Sequence, residues 1–206
     1  KKRLFLLDMD GTIYLENQLF DGTTELLEHI KRIGGRYLFV TNNSSKGVDK
    51  YIEKLKMLGI DSVEEDFLTS VNATIVHLKS KKYKKIYAFG TSSFRKQLRD
   101  AGLCITDKRE DGIDCLCMGF DTELTFQKLE DACILLNRGV DYVATNPDWV
   151  CPTWYGSVPD CGSVSVMLKN ATGRMPEFIG KPQPHMVNLA LERTRFSRDE
   201  AVIIGD

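Results

Sequence analysis

The chain has 206 residues, a formal net charge of -1, 42% hydrophobic and 28% charged residues. That is enough chain for one large core or two modest ones, and it lacks the basic excess that a nucleic-acid binder needs. No apolar run approaches the ~20 residues that span a bilayer, which excludes a helical membrane protein, and no signal peptide is visible.

In chain order, "RLFLLD" reads as a strand and "TTELLEHIKRIGG" as a helix, with Leu26, Leu27 and Ile30 at helical spacing and glycines at its end. "RYLFVTNN" is a strand, "VDKYIEKLKMLG" a helix stopped by Gly59, and "NATIVHLK" a further short helix. The basic stretch "KSKKYKK", Lys79 to Lys85, reads as a solvated linker. The rhythm then restarts: "IYAFG" strand, "SFRKQLRDAG" helix, "IDCLCMGF" strand, "TFQKLEDACILLNRG" helix and "DYVAT" strand. From Asn146 to Gly162 the sequence predicts one long irregular loop holding both tryptophans, a length that usually signals function. "EFIGK", a helix over "PHMVNLALERT" and "SRDEAVIIGD" resume the style of the opening, with Ser197 and Glu200 in a capping-box pattern. Such alternation predicts right-handed βαβ units and mostly parallel sheets. It also predicts two α/β units, 1–78 with 179–206 and an inserted 79–178.

The six cysteines form no C-x-x-C pair and no paired Cys/His set, so structural zinc is not expected. Cys115 and Cys117, two apart on a strand, share one face and read as core side chains. Free thiols without a secretion signal point to a reducing cytoplasm. His29 and His77 lie in helical patterns and read as fillers, whereas His185 is close enough to "GKPQP" to approach a site there. Ser44 and Ser45 either shape the loop after "TNN" or cap the next helix.

Four apolar runs end in reactive residues: "LFLLD" in Asp8, "YLFVT" in Thr41, "EFIGK" in Lys181 and "VIIGD" in Asp206. In an open parallel sheet all such ends share one edge, where ligands bind. Asp8 and Asp10, two carboxylates closing a buried strand, are costly without a partner. Oxygen ligands with no neighbouring His or Cys suit a hard cation, Mg²⁺. With Thr41 and Lys181 beside it, this is an anion site for phosphate, where catalysis is positioning and charge stabilisation.

These motifs resemble those of the haloacid dehalogenase superfamily of phosphohydrolases. "DMDGT" matches that family's first motif, "TNN" its second, "GKP" its third and "GD" the start of its fourth. Within it, "FVTNNSS", "ATNPD" and "GKPQP" are similar to the NagD-like, p-nitrophenyl phosphatase branch. The resemblance implies an α/β fold, a Rossmann-like core with an inserted α/β cap of the C2 type. It implies a Mg²⁺-dependent phosphomonoesterase that works through an aspartyl-phosphate. By position Asp8 would be the nucleophile, and Asp10 the general acid and then the base. Thr41, Asn42 and Lys181 would bind the phosphoryl group. Asp8, Asp10 (through its carbonyl) and Asp206 would hold the metal. The family's fourth motif continues into a helix and further strands, so a C-terminal part of the core is expected beyond Asp206.

A closing cap would favour small phosphorylated metabolites, such as sugar phosphates or nucleoside monophosphates, over proteins, nucleic acid or membranes. Asp148, Trp149, Trp154 and Tyr155 are the expected substrate contacts, with core packing as the other role for the aromatics. The cap also offers a surface for a homodimer. Two other functions fit part of the pattern: a receiver-like phosphoacceptor switch, and a weakly active binding protein on the same fold. Receivers carry the phosphoacceptor on a middle strand and have no insertion of this size, and the intact Asp8, Asp10, Thr41 and Lys181 argue against a weakly active protein.

Overall fold

The structure, a computed structural model, describes residues 1–205. In chain order the elements are β1 (Leu4–Asp8), β2 (Tyr14–Leu15), β3 (Gln18–Leu19), α1 (Thr23–Arg32), β4 (Arg36–Thr41), α2 (Val48–Met57), β5 (Phe67–Thr69) and α3 (Ser70–Lys81). They continue with β6 (Ile86–Phe89), α4 (Ser92–Asp100), β7 (Ile105–Thr106), β8 (Cys115–Met118), α5 (Phe126–Asn137), β9 (Asp141–Ala144), β10 (Val150–Thr153) and β11 (Gly156–Pro159). The last are α6 (Cys161–Thr172), β12 (Glu177–Phe178), α7 (His185–Thr194) and β13 (Ala201–Ile204).

Contacts group the chain into two compact units, one of Lys1–Thr41, Val48–Thr69 and Met186 onward, the other of Asn42–Gly47 and Ser70–His185. The first unit carries a parallel four-stranded sheet in the order β13-β1-β4-β5. β1 sits inside it, paired on one side from Leu4↔Ala201 to Leu7↔Ile204 and on the other from Leu4↔Arg36 to Asp8↔Val40. A strand flanked by strands and covered on both faces must be apolar throughout; Leu4, Leu6 and Leu7 are accordingly buried. Leu27 and Ile30 of α1 and Tyr51 and Leu55 of α2 pack with Phe39 and Phe67 into one core. Burying each such side chain contributes about 1.5–3 kcal/mol. Gly59 ends the α2 segment at φ 85°, a left-handed conformation that favours glycine.

The second unit is built on a five-stranded sheet in the order β12-β9-β8-β6-β7. Every pairing in it is parallel, with β8 between β6 and β9. Cys115 and Cys117 lie in its central strand and are fully buried. Burial pushes both thiols up from their ordinary range, which keeps them protonated and inert. α5 and α6 cover one face through Ala132, Leu135, Leu136, Val164 and Leu168.

Three expectations are corrected, and one strand is added. The "EFIGK" run does not join β1 and β4: β12 pairs with β9, and Ile179 and Gly180 continue alongside it, donating to the carbonyls of Ala144 and Thr145. A two-residue strand followed by Gly-Lys carries no signal of which sheet it extends. The basic stretch is not simply a linker, because α3 runs through Lys81 and Tyr83 donates to Asp141 Oδ2 at 2.8 Å. The segment 146–162 is not irregular: β10 and β11 form an antiparallel hairpin and α6 starts at Cys161. β5, ahead of α3, was not expected at all.

Candidate active site

Asp8 ends β1 at the point where the chain's path through the sheet reverses, with β4 on one side and β13 on the other. Such switch points open a crevice at the carboxyl edge. Asp8 is half-buried, and its Oδ1 accepts the Met9 N–H at 2.8 Å. The chain then turns tightly. The Met9 carbonyl accepts from Thr12 and Ile13 at 3.2 and 2.9 Å, and Gly11, at φ 84°, donates to Tyr14 O at 2.9 Å. This turn carries Asp10 out to solvent, its side chain 57% exposed. Thr41, at the end of β4, is buried one position past the Asp8↔Val40 pair. The first unit therefore brings Asp8, Asp10 and Thr41 to one sheet edge.

Gly205 shares that edge. A Cβ there would lie 3.2 Å from Asp8 Cβ and 3.6 Å from Oδ2, so a side chain would crowd the carboxylate. Asp206, expected as a metal ligand, lies outside the described residues. The Asp8 carboxylate, beside a side-chain-free Gly205, offers oxygen donors at this edge. It fits a hard dication of the Mg²⁺ kind.

Two residues that the sequence did not single out adjoin Asp10. Lys54 of α2 places its Nζ 3.9 Å from Asp10 Oδ1 and 3.8 Å from the centre of the Tyr14 ring. A cation over an aromatic face is attracted by the ring's quadrupole. Tyr14 is fully buried, and burial first, then the charge of Asp10, pushes its phenol far above the usual range. In sequence, Lys54 is an unremarkable member of an amphipathic helix.

Asn42, Asp148 and Lys181 meet in the second unit. Asn42 Oδ1 accepts the Lys181 N–H at 2.8 Å, and its Nδ2 donates to Lys181 O and to Asp148 Oδ2, both at 3.0 Å. The Asn42 side chain thus clamps the backbone of the "GKP" loop onto the "TNN" loop. Gly180 is needed beneath it, since a Cβ would sit 2.5 Å from both Asn42 Oδ1 and Thr145 O. Asp148 is held again by Asn146 Nδ2 at 3.0 Å, and Asn146 reaches Asp160 Oδ1 at 3.2 Å. Asp160 caps α6 by accepting the Cys161 N–H. Its burial, foremost, raises its carboxyl above the ordinary value. Ser44 Oγ accepts the Phe120 N–H at 2.7 Å and lies 2.9 Å from Thr145 Oγ1, while Ser45 Oγ donates to Asn43 Oδ1 at 2.7 Å. Both serines shape the loop.

The aromatic candidates stand apart from that network. Trp154 and Tyr155 form the tip of the β10–β11 hairpin, 84% and 64% exposed, in edge-to-face contact with centroids 5.2 Å apart. Trp149 is also exposed. Core packing is therefore not the role of these rings.

Residues 5–104 match the family model described as haloacid dehalogenase-like hydrolase. The acid sugar phosphatase of Staphylococcus haemolyticus is 32% identical over 203 residues, covering 98% of this chain and 76% of that protein. Among solved structures, the 4-nitrophenylphosphatase of Thermotoga maritima is 37% identical with a TM-score of 0.94, covering all of this chain and 78% of that one. The glycerol phosphate phosphatase of Mycobacterium tuberculosis, in complex with magnesium, is 30% identical with a TM-score of 0.91, over all of this chain and 61% of that one. The chain belongs to the haloacid dehalogenase-like hydrolases, with their Rossmann-like core and cap, and is an enzyme of the phosphatase class.

Proposed function

We propose that the chain hydrolyses small phosphomonoesters, with Mg²⁺ as cofactor and Asp8 as the covalent nucleophile. The carrying observation is the pair Asp8 and Asp10 at the switch-point end of a buried central strand, with Gly205 leaving the Asp8 carboxylate uncrowded. An Asp8 oxygen attacks phosphorus, the ester P–O bond breaks, and Asp10 gives its proton to the departing oxygen. A water then attacks the phospho-Asp8, Asp10 takes that water's proton, and inorganic phosphate leaves with Asp8 restored. As the motifs imply, Asp8, the Asp10 carbonyl and Asp206 would hold the metal, which would supply positive charge against the carboxylates and the phosphoryl group. Thr41 provides a hydroxyl at the same edge. Asn42 acts by fixing the Lys181 loop, and Lys181 neutralises the transferring group, as their motifs imply.

The names of the relatives, acid sugar phosphatase and glycerol phosphate phosphatase, favour a phosphorylated sugar or polyol as substrate. Exposed Trp149, Trp154 and Tyr155 are suited to contact such a molecule through their faces. Among the described residues no helix is long and apolar enough to cross a membrane. Cys115 and Cys117 are fully buried as thiols, which favours a reducing cytoplasm as the compartment.

The test is hydrolysis of p-nitrophenyl phosphate with Mg²⁺ and with excess EDTA. Turnover that EDTA abolishes and Mg²⁺ restores is expected; turnover indifferent to EDTA overturns the metal-dependent reading.

A further inference from the structure

A second set of donors, of a different chemical kind, gathers within the second unit. His77 on α3, Glu177 on β12 and His185 at the start of α7 each offer one ligand atom, all within 4.8 Å of one another. His77 Nε2 lies 3.5 Å from Glu177 Oε2. The two imidazoles meet edge to face, with centroids 5.7 Å apart and planes at 86°.

The second observation concerns hydrogen bonding. His77 is only 9% exposed, and its Nε2 is buried without a hydrogen-bond partner; so is Nδ1 of His185. A buried polar atom left unpaired costs about 1–3 kcal/mol. Two such atoms sit on neighbouring rings, and the Glu177 carboxylate, 3.5 Å from His77 Nε2, offsets part of the cost at one of them. A single cation accepting both lone pairs, with the carboxylate balancing its charge, removes it.

We propose that His77, Glu177 and His185 bind a borderline transition-metal dication, Zn²⁺ in chemical class, separate from the oxygen site at Asp8. Two imidazole nitrogens and one carboxylate are a zinc-type donor set, and Mg²⁺ disfavours it. Bonds of about 2.0–2.1 Å in tetrahedral geometry put adjacent donors about 3.4 Å apart. The His77–Glu177 separation of 3.5 Å already meets that. The remaining separations close by side-chain rotation, for which the 49% exposed Glu177 has room. Three protein ligands leave a fourth position for water. The ion ties α3, β12 and the start of α7 together, four residues beyond Lys181, and so fastens the far end of the "GKPQP" loop.

The experiment measures metal uptake by the full chain in excess Mg²⁺, using equilibrium dialysis with Zn²⁺ and the visible absorption of Co²⁺ as its probe. The parent and Asp8→Asn should each take up one equivalent of Zn²⁺ and show the intense Co²⁺ bands of a tetrahedral site. His185→Asn and Glu177→Gln, at less buried positions than His77, should each weaken uptake at least about tenfold and lose those bands. Their circular dichroism shows whether they are folded. Uptake lost in Asp8→Asn, or unchanged in both His185→Asn and Glu177→Gln, or absent from the parent, overturns the proposal.

Discussion

Replacing Asn42 with alanine tests the clamp between the second and third motifs. Three hydrogen bonds disappear: to the Lys181 N–H at 2.8 Å, to the Lys181 carbonyl at 3.0 Å and to Asp148 Oδ2 at 3.0 Å. Two join neutral groups and one ends on a carboxylate, so at about 1 kcal/mol for each neutral bond and about 2 for the other the gross loss is about 4 kcal/mol. The groups are part-buried, so water recovers some of them, and the expected net loss is about 2–3 kcal/mol. For a chain of this size each kcal/mol moves the thermal midpoint by about 2–4 °C, giving a fall of about 4–12 °C. The assay is thermal unfolding followed by circular dichroism, with a double-mutant cycle against Asp148→Ala. Because the two side chains share a bond, the cycle should return a coupling of about 0.5–3 kcal/mol. A midpoint within about 1 °C of the parent, together with strictly additive single effects, would refute the clamp.

Three other outcomes follow from the same geometry. Gly180→Ala should destabilise by about 1–3 kcal/mol, because its Cβ would press on the Asn42 amide and the Thr145 carbonyl; an unchanged urea midpoint would contradict this. Asp160 has a raised carboxyl, so between its ordinary value and its folded value the native state binds more protons than the unfolded one, and its contribution to stability falls as pH rises. Asp160→Asn, which keeps the helix cap, should therefore gain on the parent as pH climbs through that window and then hold a constant lead; a lead that shrinks reverses the sign and sinks the reasoning. Trp154→Ala should leave stability within about 0.5 kcal/mol, since the ring is exposed, while raising KM for p-nitrophenyl phosphate with kcat little changed; an unaltered KM removes Trp154 from the substrate contacts.

Much of the molecule was legible in the sequence because its signals are local. β1 announces itself as an unbroken apolar run closed by two aspartates, and Asp8 and Asp10 sit at a sheet edge as such a run requires. Cys115 and Cys117 follow from a two-residue period. What stayed hidden depends on distant partners or weak propensity. The Asn42 side chain is bonded to a backbone 139 positions away, a partner that no local pattern shows. α6, "CGSVSVMLKNAT", is rich in small and β-branched residues that are poor helix formers, so it hid inside the apparent loop. The β10–β11 hairpin was masked by Pro152 and Pro159, tolerated there because a lone two-stranded ribbon has free edges. The neighbours of His77, Glu177 and His185, lie about a hundred positions on, so no local pattern brings the three together.

The most direct measurement on the central claim is a rapid-quench trap with substrate labelled at phosphorus, followed by peptide mapping. Label should appear transiently on the peptide holding Asp8, within one turnover, and vanish as phosphate is released. Label that never forms during steady turnover, or that settles on another residue, would contradict an Asp8 nucleophile.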